Sequence, residues 1–237
     1  MSIVLRVDVD KPYGNHTIFR KIISKLMEDY AGFALTSSPA YLSHQIQFLE
    51  FCNKNSVKGY FYYRTCTRPN EKVLKLMASG KHKTGFHAEN TRTFETFKSE
   101  LNSFRNKLPG VNVSTFSKHG SGILKLGKNH YPPFEPEKYL KWAKELDCAF
   151  PSGNGICESE EDLSDTNGFY EKIFWIEPDY RLPGFDSIKQ LVETAKKQRV
   201  VILIHPENYI ARKQVADEFK LLVKLAKEEN IEWEMPY

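Results

Sequence analysis

Residues 3–10 read Ile3-Val4-Leu5-Arg6-Val7-Asp8-Val9-Asp10, and Lys11-Pro12-Tyr13-Gly14 then ends the extended run. Apolar residues lead into two carboxylates, as in a buried strand whose polar groups gather at its C-terminal end. Side chains two apart on a strand point the same way, so Asp8 and Asp10 share one face. Burying two like charges there raises one pKa sharply unless a cation sits beside them. A metal-assisted hydrolase uses that arrangement: one carboxylate holds the ion and the other takes a proton. The plainer alternative is a strand that frays into solvent at an acidic turn, and the rest of the chain decides between them.

Outward from this strand, helical and extended segments alternate. Helical spacing marks Ile18 to Met27, Tyr41 to Cys52, Val73 to Met77, Phe94 to Leu108, Glu135 to Leu146, Ile188 to Ala195 and Val215 to Ala226. Between them lie extended stretches at Gly59 to Arg64, Thr84 to His87, Val111 to Phe116, Cys148 to Phe150, Ile173 to Ile176, Val200 to Ile204 and Ile231 to Trp233. The run Val200-Val201-Ile202-Leu203-Ile204 is continuously apolar, as a parallel strand covered on both faces must be. About seven β-then-α units in a row predict parallel strands, in an α/β barrel or a doubly wound sheet. Loops are expected at Ala31 to Ser38, Ser117 to Pro133 and Ser152 to Gly168. No linker, charge block or low-complexity run divides the 237 residues, so residues 1–237 are read as one domain.

A formal charge of +4, with Lys and Arg interleaved among Glu, offers no nucleic-acid or anionic-membrane footprint. No apolar run approaches the roughly 20 residues of a membrane span, and no secretory leader is visible. The four cysteines form no Cys-x-x-Cys pair and are read as reduced thiols. A cytoplasmic location is the expectation.

Polar residues gather where the predicted strands end: Asp8 and Asp10, then Arg64 and Cys66, then His87, Glu89 and Asn90. Lys118 and His119, Glu177 and Asp179, and His205 and Glu207 follow later strands. In a barrel all these ends meet at one face, where the site is built. At the mouth of a buried strand, His205 is suited to general acid work near neutral pH, against the alternative of a core imidazole bonded to a carbonyl. His87 and Asp10 supply two ligands of a zinc-type site, which takes three protein ligands and water. For His130 a solvated position is expected; His16, His44 and His82 receive no role. Tyr62, Tyr63, Tyr131, Trp175 and Tyr180 are either sugar-stacking surfaces or core.

In this order, the residues resemble the polysaccharide deacetylase superfamily, the group with NodB homology that removes acetyl groups from sugars. Its first motif is matched by Val7-Asp8-Val9-Asp10. Its aromatic strand, short helix and Gly-x-His are matched by Gly59 to Tyr63, Glu71 to Gly80 and Gly85-Phe86-His87, and its aliphatic strand ending in His by Ile202-Leu203-Ile204-His205. The resemblance spans nearly the whole chain and implies an α/β fold, a distorted seven-stranded parallel (β/α) barrel. It implies Asp8 as general base, Asp10 and His87 as metal ligands, His205 as general acid, and Lys118 orienting Asp8 where the family has an Arg. Thr91 stands where the family has its second ligand His, so either Thr91, Glu89 or His119 completes the metal shell or the site holds no metal. Asn90 and Arg64 are further candidates for ligand or substrate contact. Ser117-Lys118-His119-Gly120 replaces the family's Arg-Pro-Tyr-like motif, and its Asp-Trp motif has no obvious match.

The implied cofactor is a divalent ion, Zn ahead of Mn, Mg or Co. The implied substrate is an N-acetylated sugar, as polysaccharide precursor or nucleotide-sugar, with neither nucleic acid nor membrane as partner. Two other readings stay open: a catalytically silent carbohydrate-binding relative, and a hydrolase of non-sugar C–N amides.

Overall fold

The computed structural model describes residues 1–11, 17–19, 22, 23, 26, 40–120, 130–166 and 168–237. Strand β1 (Ser2–Val9) is buried along its whole length at the centre of an all-parallel sheet. On one side it pairs with β7 (Val200–Ile204), Ile3 opposite Val200 through Val7 opposite Ile204. The other side is shared. Its start pairs with the short β8 (Glu232–Trp233), and its end pairs with β2 (Tyr60–Tyr63), Asp8 lying opposite Tyr62. The remaining strands are β3 (Lys83–Ala88), β4 (Val113–Lys118), β5 (Ser152–Ile156) and β6 (Tyr170–Trp175), and the order is β4-β3-β2-β1-β7-β6-β5.

The sheet curls until its edges meet. Thr115 of β4 bridges Ala149, just before β5, where Phe116 N donates to Ala149 O at 3.0 Å and Ala149 N to Ser114 O at 2.8 Å. Seven parallel strands thus form the expected distorted barrel, and the doubly wound alternative is set aside.

Period-two alternation divides β1 between two cores. Ile3, Leu5, Val7 and Val9 face outward and pack with the helices, whereas Val4 joins Tyr60, Tyr62, Tyr170, Ile173, Val201 and Leu203 inside the barrel. Arg6 and Asp8 have the parity of Val4, so they stand in the barrel above this apolar floor. Tyr62 and Tyr63 are 1% and 0% exposed, core residues rather than sugar platforms. Gly85 makes room for one of them: a Cβ there would lie 2.4 Å from the Tyr62 ring.

The helices cover the outer face with apolar stripes. Phe94–Asn106 buries Phe97, Leu101 and Phe104 completely, at about 1.5–3 kcal/mol each, and Thr93 caps it by accepting from Thr96 N. Among the described residues no helix is long and apolar enough to cross a membrane.

Two expectations are corrected. The fifth strand is Ser152–Ile156, not Cys148 to Phe150, of which only Ala149 bridges. Gly153 and Gly155 make this strand look like loop, yet a Cβ on either would meet the Glu171 carbonyl at 2.6 or 2.9 Å. Close approach of β5 to β6 demands glycine there. The loop expected over Ser152 to Gly168 is thus a strand at its start, and a short helix, Pro206–Ala211, for which no element was expected, begins directly after His205. Of the helix expected from Ile18 to Met27, Ile18, Phe19, Ile22, Ile23 and Leu26 are described, and all are helical. Residues 12–14, the loop expected over 31–38, and 121–129 within the long loop lie outside the described residues.

Candidate active site

The inner face of β1 carries Arg6 and Asp8 two residues apart. The guanidinium grips the carboxylate through both arms, Nε to Oδ1 at 2.9 Å and Nη2 to Oδ2 at 2.6 Å, with 2% and 3% of the two residues exposed. It is itself fixed by β5, donating to Gly153 O and Asn154 Oδ1, both at 2.9 Å. Burial works against the Arg6 charge, but Asp8 more than offsets it and raises the guanidinium pKa. A bidentate, buried pair of this kind holds Asp8 in one orientation.

Asp10, at the end of β1, meets two imidazoles. Its Oδ1 is 3.0 Å from His87 Nε2 and 3.3 Å from His119 Nδ1. His87 comes from β3 and His119 follows β4; the two strands pair with His87 opposite Ser117. On its far side His87 Nδ1 lies 2.6 Å from Ser117 Oγ, so a proton on Nδ1 donated to that hydroxyl leaves the Nε2 lone pair facing Asp10. Among the described residues Asp10 Oδ1 and both ring nitrogens of His119 are buried without a hydrogen-bond partner. Burial pushes the Asp10 carboxyl up, but His119 and His87 hold it well below the usual carboxylate range. Burial, then Arg64, pushes His119 well below its ordinary value. An ionised carboxylate beside a neutral His119 with an unused lone pair is the state a cation needs. One ligand atom from each of Asp10, His87 and His119 lies within 4.8 Å of the others, and one oxygen with two nitrogens matches the three protein ligands of a zinc-type centre.

The other oxygen of Asp10, Oδ2, is 3.4 Å from His205 Nε2 at the end of β7. Glu177, completely buried, accepts through Oε1 from the His205 backbone N at 2.9 Å and from Asn208 Nδ2 at 3.2 Å, and pairs with His205 Nδ1 at 2.9 Å. Trp175 stacks on the ring at 5.9 Å. Burial opposes the imidazolium, yet Glu177 and Asp10 raise the His205 pKa well above its ordinary value. Asp8 closes the cluster, its Oδ2 3.4 Å from His87 Nε2.

Five residues depart from their expected partners or positions. Lys118 does not orient Asp8: its Nζ donates to the carbonyls of His119 and Gly120, both at 2.6 Å, and Arg6 holds the carboxylate. Burial lowers Lys118 to about 7. Thr91, fully buried, shares a hydrogen bond with the Tyr139 hydroxyl at 3.1 Å, and the third donor beside Asp10 and His87 is His119. Glu89 pairs with Arg64 at 2.8 Å, while Arg64 also donates to Asp10 O at 2.7 Å. Asn90 donates its backbone N to Glu100. His130, expected in solvent, is 6% exposed, and burial lowers it to about 4.

Sequence reasoning gave no role to Arg6, Ser117 or Glu177. For Arg6 the signal was available, since it has the parity of Asp8. Glu177 was visible as a strand-end carboxylate, but its partner, like that of Ser117, becomes legible only once strands β6/β7 and β3/β4 lie side by side.

No family profile matches this sequence, and no curated protein sequence matches it. Solved structures do share its fold. One is a family 4 carbohydrate esterase from Streptomyces lividans in complex with acetate, at a TM-score of 0.53 and 8% identity, covering 100% of this chain and 93% of that one. A second is the catalytic domain of a peptidoglycan N-acetylglucosamine deacetylase from Eubacterium rectale, at 0.52 and 13%, covering 98% and 87%. A polysaccharide deacetylase from Bacillus cereus gives 0.50 and 13%, covering 100% and 92%. The chain therefore has the fold of carbohydrate esterases and deacetylases.

Proposed function

We propose that this chain is a metal-dependent hydrolase that removes the acetyl group from an N-acetylated sugar. The observation that carries the reading is the meeting of three pairs, Arg6–Asp8, Asp10 with its two imidazoles, and Glu177–His205, at one end of a barrel of the deacetylase fold. Asp10, His87 and His119 would hold the ion, with Zn the first choice for this donor set and Mn, Mg or Co the others. A bound divalent ion supplies polarisation of the acetyl carbonyl and a lower pKa for water.

Around it this chain's own groups divide the proton work. Asp8, held immobile by the two-armed grip of Arg6, accepts a proton at its carboxylate. His205, kept protonated by Glu177, delivers one to the departing amine. Fixed donors in a dry site act without reorganising, which is where most of the acceleration arises. The four free cysteines suit a reducing compartment, so the substrate is read as a cytoplasmic sugar precursor, nucleotide-linked or oligomeric.

Acetate release from N-acetylglucosamine oligomers and from a nucleotide-linked N-acetyl sugar, with and without chelator, tests the reading. Release that stops on chelation and returns with Zn supports it. A chain that binds the sugars but releases no acetate with any of the four metals is the silent binding relative, and release from simple amides alone is the non-sugar hydrolase.

A further inference from the structure

Beyond the cluster that accounts for Asp10, His87, His119 and His205, a further buried imidazole close to that cluster has no assigned work. His130 is 6% exposed, and neither of its ring nitrogens has a hydrogen-bond partner among the described residues. Its ring meets His119 edge to face at 5.7 Å, and His119 meets His87 the same way at 4.8 Å. His119 thus touches both His87 and His130, and Asp10 lies against the first two of these imidazoles. A cation explains one unpaired nitrogen of His119, but the grouped ligand atoms are those of Asp10, His87 and His119 and of Asp8, Asp10 and His205, and His130 lies outside both groups.

The next residue is anchored. Tyr131 N donates to Glu89 O at 3.0 Å, beside the end of β3, and the Tyr131 ring lies under Arg92 at 5.8 Å and Lys138 at 5.0 Å. His130 is therefore held in place rather than left to find a partner. Buried polar atoms without partners are rare in folded proteins and ask for a reason.

We propose that His130 is a substrate-contacting residue whose imidazole hydrogen-bonds a ring hydroxyl of the sugar whose acetamido group sits at Asp10, His87 and His119. A neutral imidazole offers one donor and one acceptor, the same complement as a hydroxyl. The assignment rests on the functional reading above and adds to it the residue that distinguishes a sugar from a plain acetamide.

The test uses the metal-loaded full chain with two variants, His130→Phe, which keeps a ring against His119 without polar atoms, and His130→Gln, which restores a donor and an acceptor. Steady-state kinetics on an N-acetylglucosamine oligomer and on 4-nitroacetanilide, which has no hydroxyls, are compared with bound metal. The expected result is a KM for the oligomer raised tenfold or more in His130→Phe, with kcat within about twofold and metal unchanged. His130→Gln recovers part of the loss, and anilide kinetics are equal in all three. An oligomer KM unchanged in His130→Phe overturns the assignment, as does a parallel fall on both substrates, which marks a packing role. If the unaltered chain neither binds nor turns over the oligomer, the inference and the functional reading fall together.

Discussion

At the scale of single residues, Arg6 and Glu177 carry the sharpest expectations. Each fixes one proton-handling group through a buried charge pair. Arg6→Gln leaves Asp8 buried without its counter-charge, and loss of one partner of such a pair costs about 3–5 kcal/mol. Urea unfolding reads it. Arg6→Lys keeps the charge but not the two-armed grip and is expected to recover only part. Glu177→Gln acts on the pH profile instead. Glu177 raises the His205 pKa, so the acid form persists to higher pH in the natural chain and is lost as pH rises through that value. Removing the carboxylate lowers the pKa, and the high-pH limb of kcat moves to lower pH. An unmoved limb in Glu177→Gln excludes His205 as the acid.

At the scale of elements, legibility followed burial. Strands β1 and β7 were readable because both faces are covered, leaving near-continuous apolar runs that end at Asp10 and His205. Strand β5 was not, because its contact with β6 requires Gly153 and Gly155, the residues that signal a turn. Gly153→Ala is expected to destabilise by about 1–3 kcal/mol, since its Cβ would approach the Glu171 carbonyl at 2.6 Å, and to disturb Arg6, which donates to Gly153 O. Thermal unfolding measures the loss, and an unchanged Tm in Gly153→Ala contradicts the close approach of β5 to β6. The Pro206–Ala211 helix escaped because six residues hold too few apolar repeats to show a period.

A pH effect belongs to the packing of the Ala40–Lys54 helix. His82 bonds Asn53 of that helix at 2.8 Å and packs edge-on against Phe61, and burial lowers its pKa to about 4. The folded chain therefore keeps it neutral while the unfolded chain protonates it near 6.5. Stability falls as pH drops from about 6.5 to 4, by up to about 3 kcal/mol. In His82→Gln that part of the slope disappears, leaving the shares of His130, also near 4, and of His119. Denaturant titrations at pH 7 and pH 4.5 measure the difference, and an unchanged slope in the variant contradicts the assignment.

At the scale of the molecule, parallel connections bring every strand end to one face, so residues scattered from position 6 to position 205 meet in one cluster. That is why Asp8, Asp10, His87 and His205 were readable as strand-end residues, whereas the third donor was not settled. A ligand four residues after His87 would lie on the same connection, but Thr91 is turned to Tyr139, and the neighbouring strand delivers His119. Pairing of β3 with β4 decides this, and pairing is invisible in a single local motif.

The most direct test is bound metal per chain by elemental analysis after equilibration with Zn, in the natural chain, His119→Ala and Thr91→Ala. The account predicts one ion per natural chain, retention in Thr91→Ala and loss in His119→Ala. A natural chain that binds no ion, or a His119→Ala variant that keeps it while Thr91→Ala loses it, contradicts the account.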